Sequence, residues 1–371
     1  MRVLFWTDWF VPSIGGVEVF SARLLPALAR RGHEIVVVAG HHRSGLPDAT
    51  TLEGVKILRF PFHQVLAARH VDRMGAILEQ IASLKRELAP DLVHLNTLGP
   101  SVLYHLETVR ACEAPVLLTM HSPVMPDATR ADTLYGRALR TATWVNCNSQ
   151  AVRAELCRLL PELSDRSSVT YYGMEPPALT PAPRARHEPR VLVFGRLVPE
   201  KGFDIAIHAF AVVAASIPGA RLVVVGEGPE RQALERLAAT LGLSSIVEFV
   251  GPVPPSAVPR LLNTVSVVAV PSRWDEPFGL VALEAALMAR PVVAARVGGL
   301  PEVVEDGRTG LLVEREDAHA LAEALVCLLR DPAAADRMGV VARARASALF
   351  GWDRCVNEYE RLYERSALAR V

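Results

Sequence analysis

The sequence predicts an α/β protein built as two consecutive parallel-sheet domains. Short apolar runs alternate with segments of helical periodicity in two successive series, the pattern of parallel strands covered by helices. A proline-rich stretch divides the two series. The length of 371 residues exceeds one ordinary core and suits two. Half of the residues are apolar and the formal net charge is zero, which argues against a nucleic-acid partner.

In the first series, strands are expected near Val3–Trp6, Ile35–Ala39, Val55–Phe60, Leu92–Leu95, Val116–Met120, Trp144–Cys147 and Val169–Tyr172, giving an N-terminal domain over 1–175. Residues 176–189, PPALTPAPRARHEP, lose periodicity and hold five prolines, so they read as a semi-rigid linker. The second series opens with RVLVFGR at Arg190, continues through RLVVVGEG, IVEFVG, VVAVPS and PVVAARV, and gives a C-terminal domain over 190–350. A last helix starting at Trp352 fills 351–371. No apolar run reaches the roughly 18 to 20 residues of a membrane span. Met1 leads straight into a strand without the basic, apolar and cleavable parts of a signal peptide. Five cysteines without a C-x2-C pair fit reduced thiols. These features together point to a cytosolic protein.

The segment 271–314, PSRWDEPFGLVALEAALMARPVVAARVGGLPEVVEDGRTGLLVE, carries the densest chemistry. The apolar run Val267–Val270 reads as a buried strand, Glu276-Pro277-Phe278-Gly279 breaks it, and Leu280–Ala289 is helical. An anion site is expected at that helix start, where orphan N–H groups and the macrodipole favour negative charge. Glu276 precedes the helix and Glu284 lies in its second turn, leaning back toward its start. A carboxylate beside a phosphate is repelled by it, so both glutamates fit best as acceptors for ligand hydroxyls.

A second string, Gly195-Arg196-Leu197-Val198-Pro199-Glu200-Lys201-Gly202, follows the strand Val191–Phe194, at the kind of strand end where open α/β sheets bind ligands. Of the 40 basic residues only three are lysines, Lys56, Lys85 and Lys201. In such a background Lys201 hints at a need for a compact point charge. A third string, Ser13-Ile14-Gly15-Gly16-Val17-Glu18, puts Gly15 and Gly16 before a helix start, where bare backbone can approach an anion. It is neither a G-x-G-x-x-G nor a P-loop pattern. His121, in LLTMHSP, sits just past the strand Val116–Met120. Neither D-x-D nor H-E-x-x-H nor a His/Cys cluster occurs, so no metal ligands and no cofactor are expected.

These strings resemble the retaining glycosyltransferases of family 4. Glu276 and Glu284 have the family's E-x7-E spacing after a Pro-Ser strand end, Pro291–Ala294 and Gly298–Glu302 follow as its PVVA and Gly-Gly-Leu-Pro-Glu, and 195–202 resembles its G-R-L-x-x-x-K-G. The resemblance covers nearly the whole chain and implies the GT-B fold, two facing Rossmann-like domains with a deep interdomain cleft. It implies a nucleotide-sugar donor, UDP- or GDP-linked, and transfer to an acceptor glycan, lipid or small molecule, with peripheral membrane contact left open. Arg196 and Lys201 would hold the diphosphate, helped by the Gly279, Leu280 and Val281 amides in place of a metal, with Gly15 and Gly16 facing it across the cleft. Glu284 would take the ribose, Glu276 and the backbone of Phe278–Leu280 the sugar, Val253 the base, and His121 would contact the donor sugar. The last helix would cross back to the first domain.

Two departures stand out. Tyr172-Gly173-Met174-Glu175 replaces the family's Asn-Gly-Val-Asp, and Arg290 stands where the family has Gly, so the helix before it is expected to stop without a left-handed residue. For the acceptor, Val65–Leu88 with Arg130, Arg137 and Arg140 either meet an anionic lipid or face solvent. A nucleotide-sugar epimerase, a glycosyl phosphorylase or a non-catalytic nucleotide-binding protein are the competing readings. The first lacks identifiable proton-transfer residues, the second a phosphate or pyridoxal phosphate site. The third does not explain why His121, Arg196, Lys201, Glu276 and Glu284 are all present.

Overall fold

A computed structural model describes residues 1–13, 15–42, 45–182 and 188–368. The chain divides into two compact units, Met1–Tyr172 with Asp353–Val371, and Gly173–Trp352.

In the first unit the strands are β1 (Arg2–Thr7), β2 (Glu34–Gly40), β3 (Ala49–Leu52), β4 (Val55–Phe60), β5 (Leu92–Leu95), β6 (Val116–Met120), β7 (Trp144–Cys147) and β8 (Ser167–Val169). They form one eight-stranded sheet in the order β3-β4-β2-β1-β5-β6-β7-β8. Pairing is parallel except for β3, which is antiparallel to β4. Val3 to Trp6 are fully buried, as expected of a central strand covered on both faces. The sequence reading missed β3, because ATTL is an edge hairpin strand with half its residues in solvent and no apolar run. The eighth strand ends at Val169, not Tyr172, and Tyr172 is released for a different task described below.

From Asp353 onward, the helix Trp352–Leu368 belongs to this unit. Its Tyr359 and Tyr363 are buried, and the Tyr363 hydroxyl lies 2.9 Å from His94 Nδ1. Arg130, Arg137 and Arg140 all have partners nearby: Asp132 at 2.8 Å, Glu107 at 3.7 Å, and the Thr129 carbonyl at 2.7 Å.

The second unit holds β9 (Arg190–Phe194), β10 (Arg221–Val225), β11 (Val247–Gly251), β12 (Val267–Val270), β13 (Val292–Ala295) and β14 (Gly310–Val313). All six are parallel, in the order β11-β10-β9-β12-β13-β14. The short strand β14 also escaped the sequence reading, since GLLV follows β13 with only one turn of helix, Leu300–Val303, between them. In each sheet the strand order reverses beside the first strand, between β1 and β5 and between β9 and β12. Connections on the two sides of such a reversal leave in opposite directions, and a crevice opens at the carboxyl ends of those strands.

Arg290 does more than replace a glycine. The helix Leu280–Leu287 is followed by a left-handed residue after all, Ala289 at φ 53°, which corrects the expectation drawn from Arg290. The Arg290 side chain is 2% exposed and donates to the Leu262 carbonyl at 2.7 Å and the Ala182 carbonyl at 2.7 Å. Asn263 completes the tie, accepting from Ala182 N at 2.9 Å and donating to the Thr180 carbonyl at 3.0 Å. The proline-rich stretch is therefore fastened to the second unit as far as Ala182, while 183–187 lie outside the described residues. Among the described residues no helix is long and apolar enough to cross a membrane.

Candidate active site

The two strongest sequence strings leave adjacent strands at the β9/β12 reversal of the second sheet. Gly202 ends the loop after β9 in a left-handed conformation, φ 68°, and a Cβ there would stand 2.0 Å from the Pro271 carbonyl oxygen at the end of β12. A residue without a side chain is thus required for the two loops to touch. Arg273 bolts them together: its backbone N–H donates to the Glu200 carbonyl at 2.8 Å, and its guanidinium reaches the Pro199 carbonyl at 3.0 Å and both Asp204 oxygens at 2.7 and 2.6 Å. Sequence reasoning passed over Arg273 and Asp204. The two lie 69 positions apart, and such a pair carries no local pattern.

That contact brings Lys201 to Glu276. Lys201 Nζ lies 2.5 Å from Glu276 Oε1, and the buried Ser272 hydroxyl donates to the same oxygen at 2.6 Å. The Gly298–Glu302 turn seats the glutamate from the other side. Gly299 N donates to the Glu276 carbonyl at 2.7 Å, and a Cβ on Gly298 would come within 2.2 Å of that oxygen. Arg196 is exposed at the tip of the same loop and has neither an ion pair nor a side-chain hydrogen bond among the described residues.

The helix Leu280–Leu287 opens at Gly279, φ 106°, without a side-chain cap. Its first N–H groups, on Gly279, Leu280 and Val281, are therefore available to an anion. Phe278 is 1% exposed and packs edge-on against Phe350 with ring centroids 5.4 Å apart, so it offers a ligand only backbone. Glu284 is half-buried, its carboxyl has no hydrogen-bond partner among the described residues, and burial pushes that carboxyl up to about 7. Val253, half-buried, follows β11 at the same carboxyl edge.

In the first unit, His121 lies just past β6 in a chain of hydrogen bonds. Its Nε2 lies 3.0 Å from Asn96 Oδ1, its Nδ1 lies 2.6 Å from the Tyr172 hydroxyl, and the two rings stack at 5.7 Å with an angle of 3°. Asn96 Nδ2 donates to Ser21 at 3.2 Å, which leaves Oδ1 as acceptor. Nε2 therefore carries the hydrogen and Nδ1 accepts from tyrosine. Burial pushes the imidazole down to about 3, so the ring is neutral, and raises the Tyr172 phenol, which remains a donor. Asn96 and Tyr172 are the partners that sequence reading did not assign. At the first loop, the helix begins at Gly16, and a Cβ on Gly15 would meet Glu18 Oε2 at 2.1 Å. The bare helix start expected there is thus covered by the carboxylate of Glu18.

Sequence profiles divide the chain the same way. Residues 14–177 match Glycosyltransferase Family 4 and residues 181–345 match Glycosyl transferases group 1. A D-inositol 3-phosphate glycosyltransferase of Acidothermus cellulolyticus is 32% identical across 96% of this chain and 86% of its own. The chain belongs to the group 1 glycosyltransferases.

A GDP-mannose-dependent alpha-(1-6)-phosphatidylinositol monomannoside mannosyltransferase of Mycobacterium tuberculosis is 28% identical to this glycosyltransferase over 95% of both chains. Sucrose-phosphate synthase from Thermosynechococcus elongatus shares its fold with a TM-score of 0.84 and 25% identity, covering 100% of both chains. Anabaena HepE, solved with UDP-glucose, superposes with a TM-score of 0.78 at 22% identity, covering 98% of this chain and 100% of its own. The fold of the glycosyltransferase is therefore GT-B, α/β with two Rossmann-like parallel-sheet domains. Among its described residues no group of three or more His, Cys, Asp or Glu converges as metal ligands would.

Proposed function

We propose that this glycosyltransferase moves a sugar from a nucleoside-diphosphate donor, UDP- or GDP-linked, to an acceptor hydroxyl with retention at the anomeric carbon and without a metal ion. The observation that carries the reading is the meeting of Lys201, Glu276 and an uncapped helix start at one strand-order reversal.

Negative charge grows on the departing diphosphate as the glycosidic bond breaks. Lys201 and the Gly279, Leu280 and Val281 N–H groups are fixed donors for it, with Arg196 a further cation on the same loop, and stabilisation by a preorganised donor is worth about two to three powers of ten. Lys201 would then exchange its bond to Glu276 for phosphate oxygen, freeing Glu276 Oε1 to accept from a sugar hydroxyl. Glu284 would accept from the ribose diol and Val253 would lie along the base. His121, the donor-sugar contact that the family resemblance implies, is neutral and so adds no repulsion to the positive charge that builds at the anomeric carbon. The acceptor hydroxyl would attack from the face the diphosphate leaves, and the departing phosphate oxygen would take its proton.

The test incubates purified protein with mass-tagged UDP- and GDP-sugars, follows nucleoside diphosphate release, and reads the anomeric configuration of the product by NMR. Release that persists in excess EDTA with an anomer matching the donor supports the reading. An inverted product, or activity lost to EDTA and restored by Mg2+, would refute its retaining or metal-free part.

A further inference from the structure

The Gly298–Glu302 turn that seats Glu276 is itself held from behind. Its second half belongs to the one-turn helix Leu300–Val303, which is too short to persist on its own and whose last carbonyls find no partner within it. Arg345, on the helix Pro332–Leu349, supplies the missing donors. Its Nη2 donates to the Glu302 carbonyl at 2.8 Å and its Nη1 to the Val303 carbonyl at 3.1 Å, while Nε lies 3.5 Å from Glu305 Oε2. The same guanidinium lies over the Phe350 ring at 5.7 Å, the ring that packs edge-on against Phe278.

Both contacts lead to one stretch of chain, 276–279. Gly299 N holds the Glu276 carbonyl at 2.7 Å, a Cβ on Gly299 would stand 2.7 Å from the Pro277 carbonyl oxygen, and a Cβ on Gly279 would stand 2.6 Å from Leu300 Cδ2. Packing this close leaves no slack, so a shift of the turn is passed on to the donor loop. The helix Pro332–Leu349 keeps its place without the guanidinium. Its Ala335, Gly339, Ala342 and Ala346 are buried, and a Cβ on Gly339 would meet the Ala289 carbonyl oxygen at 2.1 Å.

We propose that Arg345 is a positioning residue for sugar transfer: from an independently packed helix it fixes the Gly298–Glu302 turn through two carbonyls and Phe278 through Phe350, and so sets Glu276 and the Gly279 N–H against the donor. This rests on the donor reading above. A planar fork that spans two successive carbonyls while its face covers an aromatic ring is a task for arginine and not for lysine.

The test takes Arg345→Ala and Arg345→Lys, the latter keeping one charged donor. Hydrogen exchange of the free protein, read by mass spectrometry, should be about ten-fold faster over 298–304 in Arg345→Ala, intermediate in Arg345→Lys and unchanged over β12. That result needs no substrate. With UDP-glucose and GDP-mannose as donors and water as acceptor, nucleoside diphosphate release per nucleotide-binding site should fall about ten- to 100-fold in Arg345→Ala, the cost of a small misplacement of reacting groups. Calorimetric affinity for free UDP or GDP should stay within about three-fold. Guanidinium chloride below denaturing concentration should restore part of the lost release, and sodium chloride should not. Unchanged exchange over 298–304, or faster exchange with undiminished release, overturns the proposal. A parallel loss of nucleotide affinity that guanidinium does not reverse makes Arg345 a general support of the domain and overturns it too. Failure of the unaltered protein to bind UDP or GDP sinks the donor reading instead, whatever Arg345 does to the turn.

Discussion

Lys201 Nζ and Glu276 Oε1 lie 2.5 Å apart, so the cation assigned to the donor diphosphate and the carboxylate assigned to its sugar are each other's partners in the protein. Glu276 is 6% exposed, and Ser272 is its other side-chain donor. Lys201→Ala should therefore do two things. Turnover falls by about two to three powers of ten through loss of a preorganised donor. Stability falls by about 1 to 3 kcal/mol because a buried carboxylate is left underpaired, visible as a lower melting temperature by circular dichroism. Near-normal donor turnover would show that the diphosphate lies elsewhere.

Glu276 and Glu284 should differ in kind. Glu284→Ala is expected to weaken free nucleoside diphosphate and intact donor alike, by about five- to 150-fold for a lost acceptor worth about 1 to 3 kcal/mol. Glu276→Ala should spare the free diphosphate and damage sugar transfer. Calorimetry with UDP or GDP alone distinguishes them, and the opposite pattern would reverse their placement along the donor.

The raised carboxyl of Glu284 gives a stability signature. Its ordinary value is 4.5 and burial lifts it to about 7 in the folded state. Between those values the folded protein binds more protons than the unfolded chain, so this group's contribution to stability declines as pH rises through the window. The full effect above pH 7 is up to about 3 kcal/mol at 1.36 kcal/mol per unit, reduced by whatever solvent reaches the group. Glu284→Gln should flatten the pH dependence of the melting temperature between pH 5 and 8. An unchanged slope would place the carboxyl in water.

Tyr172→Phe removes the hydroxyl that lies 2.6 Å from His121 Nδ1 and leaves that buried nitrogen without its donor. A cost of about 1 to 3 kcal/mol is expected, together with a fall in kcat from a less tightly oriented ring. If His121 acts on the donor sugar, binding of free UDP or GDP should be unaffected. A loss of nucleotide binding would move His121 away from the sugar.

Much of the fold is legible in the sequence. Apolar runs of four or five residues bounded by turn residues, such as Val267–Val270, read as buried strands, and their alternation with helices leaves few topologies. The edge strand β3 did not announce itself, because a half-solvated strand has little apolar signal to read, and β14 is apolar but stands close behind β13 with only one helical turn between them. Among the candidate site residues, Arg196, Lys201, Glu276 and Glu284 stood out through their resemblance to the G-R-L-x-x-x-K-G and E-x7-E patterns, whose spacing is local.

What the sequence determined by itself was therefore local: which segments are strands, where the loops break them, and which charged residues sit at those breaks. Tertiary structure decided the pairings. Ser272 and Lys201 converge on Glu276, Arg273 clamps Asp204, and Tyr172 and Asn96 orient His121. Apart from Ser272 and Glu276, four residues apart on one loop, these pairs join segments distant in sequence whose strands lie at most two places apart in one sheet. The order β11-β10-β9-β12-β13-β14 joins Lys201 to Glu276 across 75 positions because β9 and β12 are neighbours. No spacing rule reaches that far. Hydrophobic burial sets the strand order, and the polar contacts form at the strand ends it brings together.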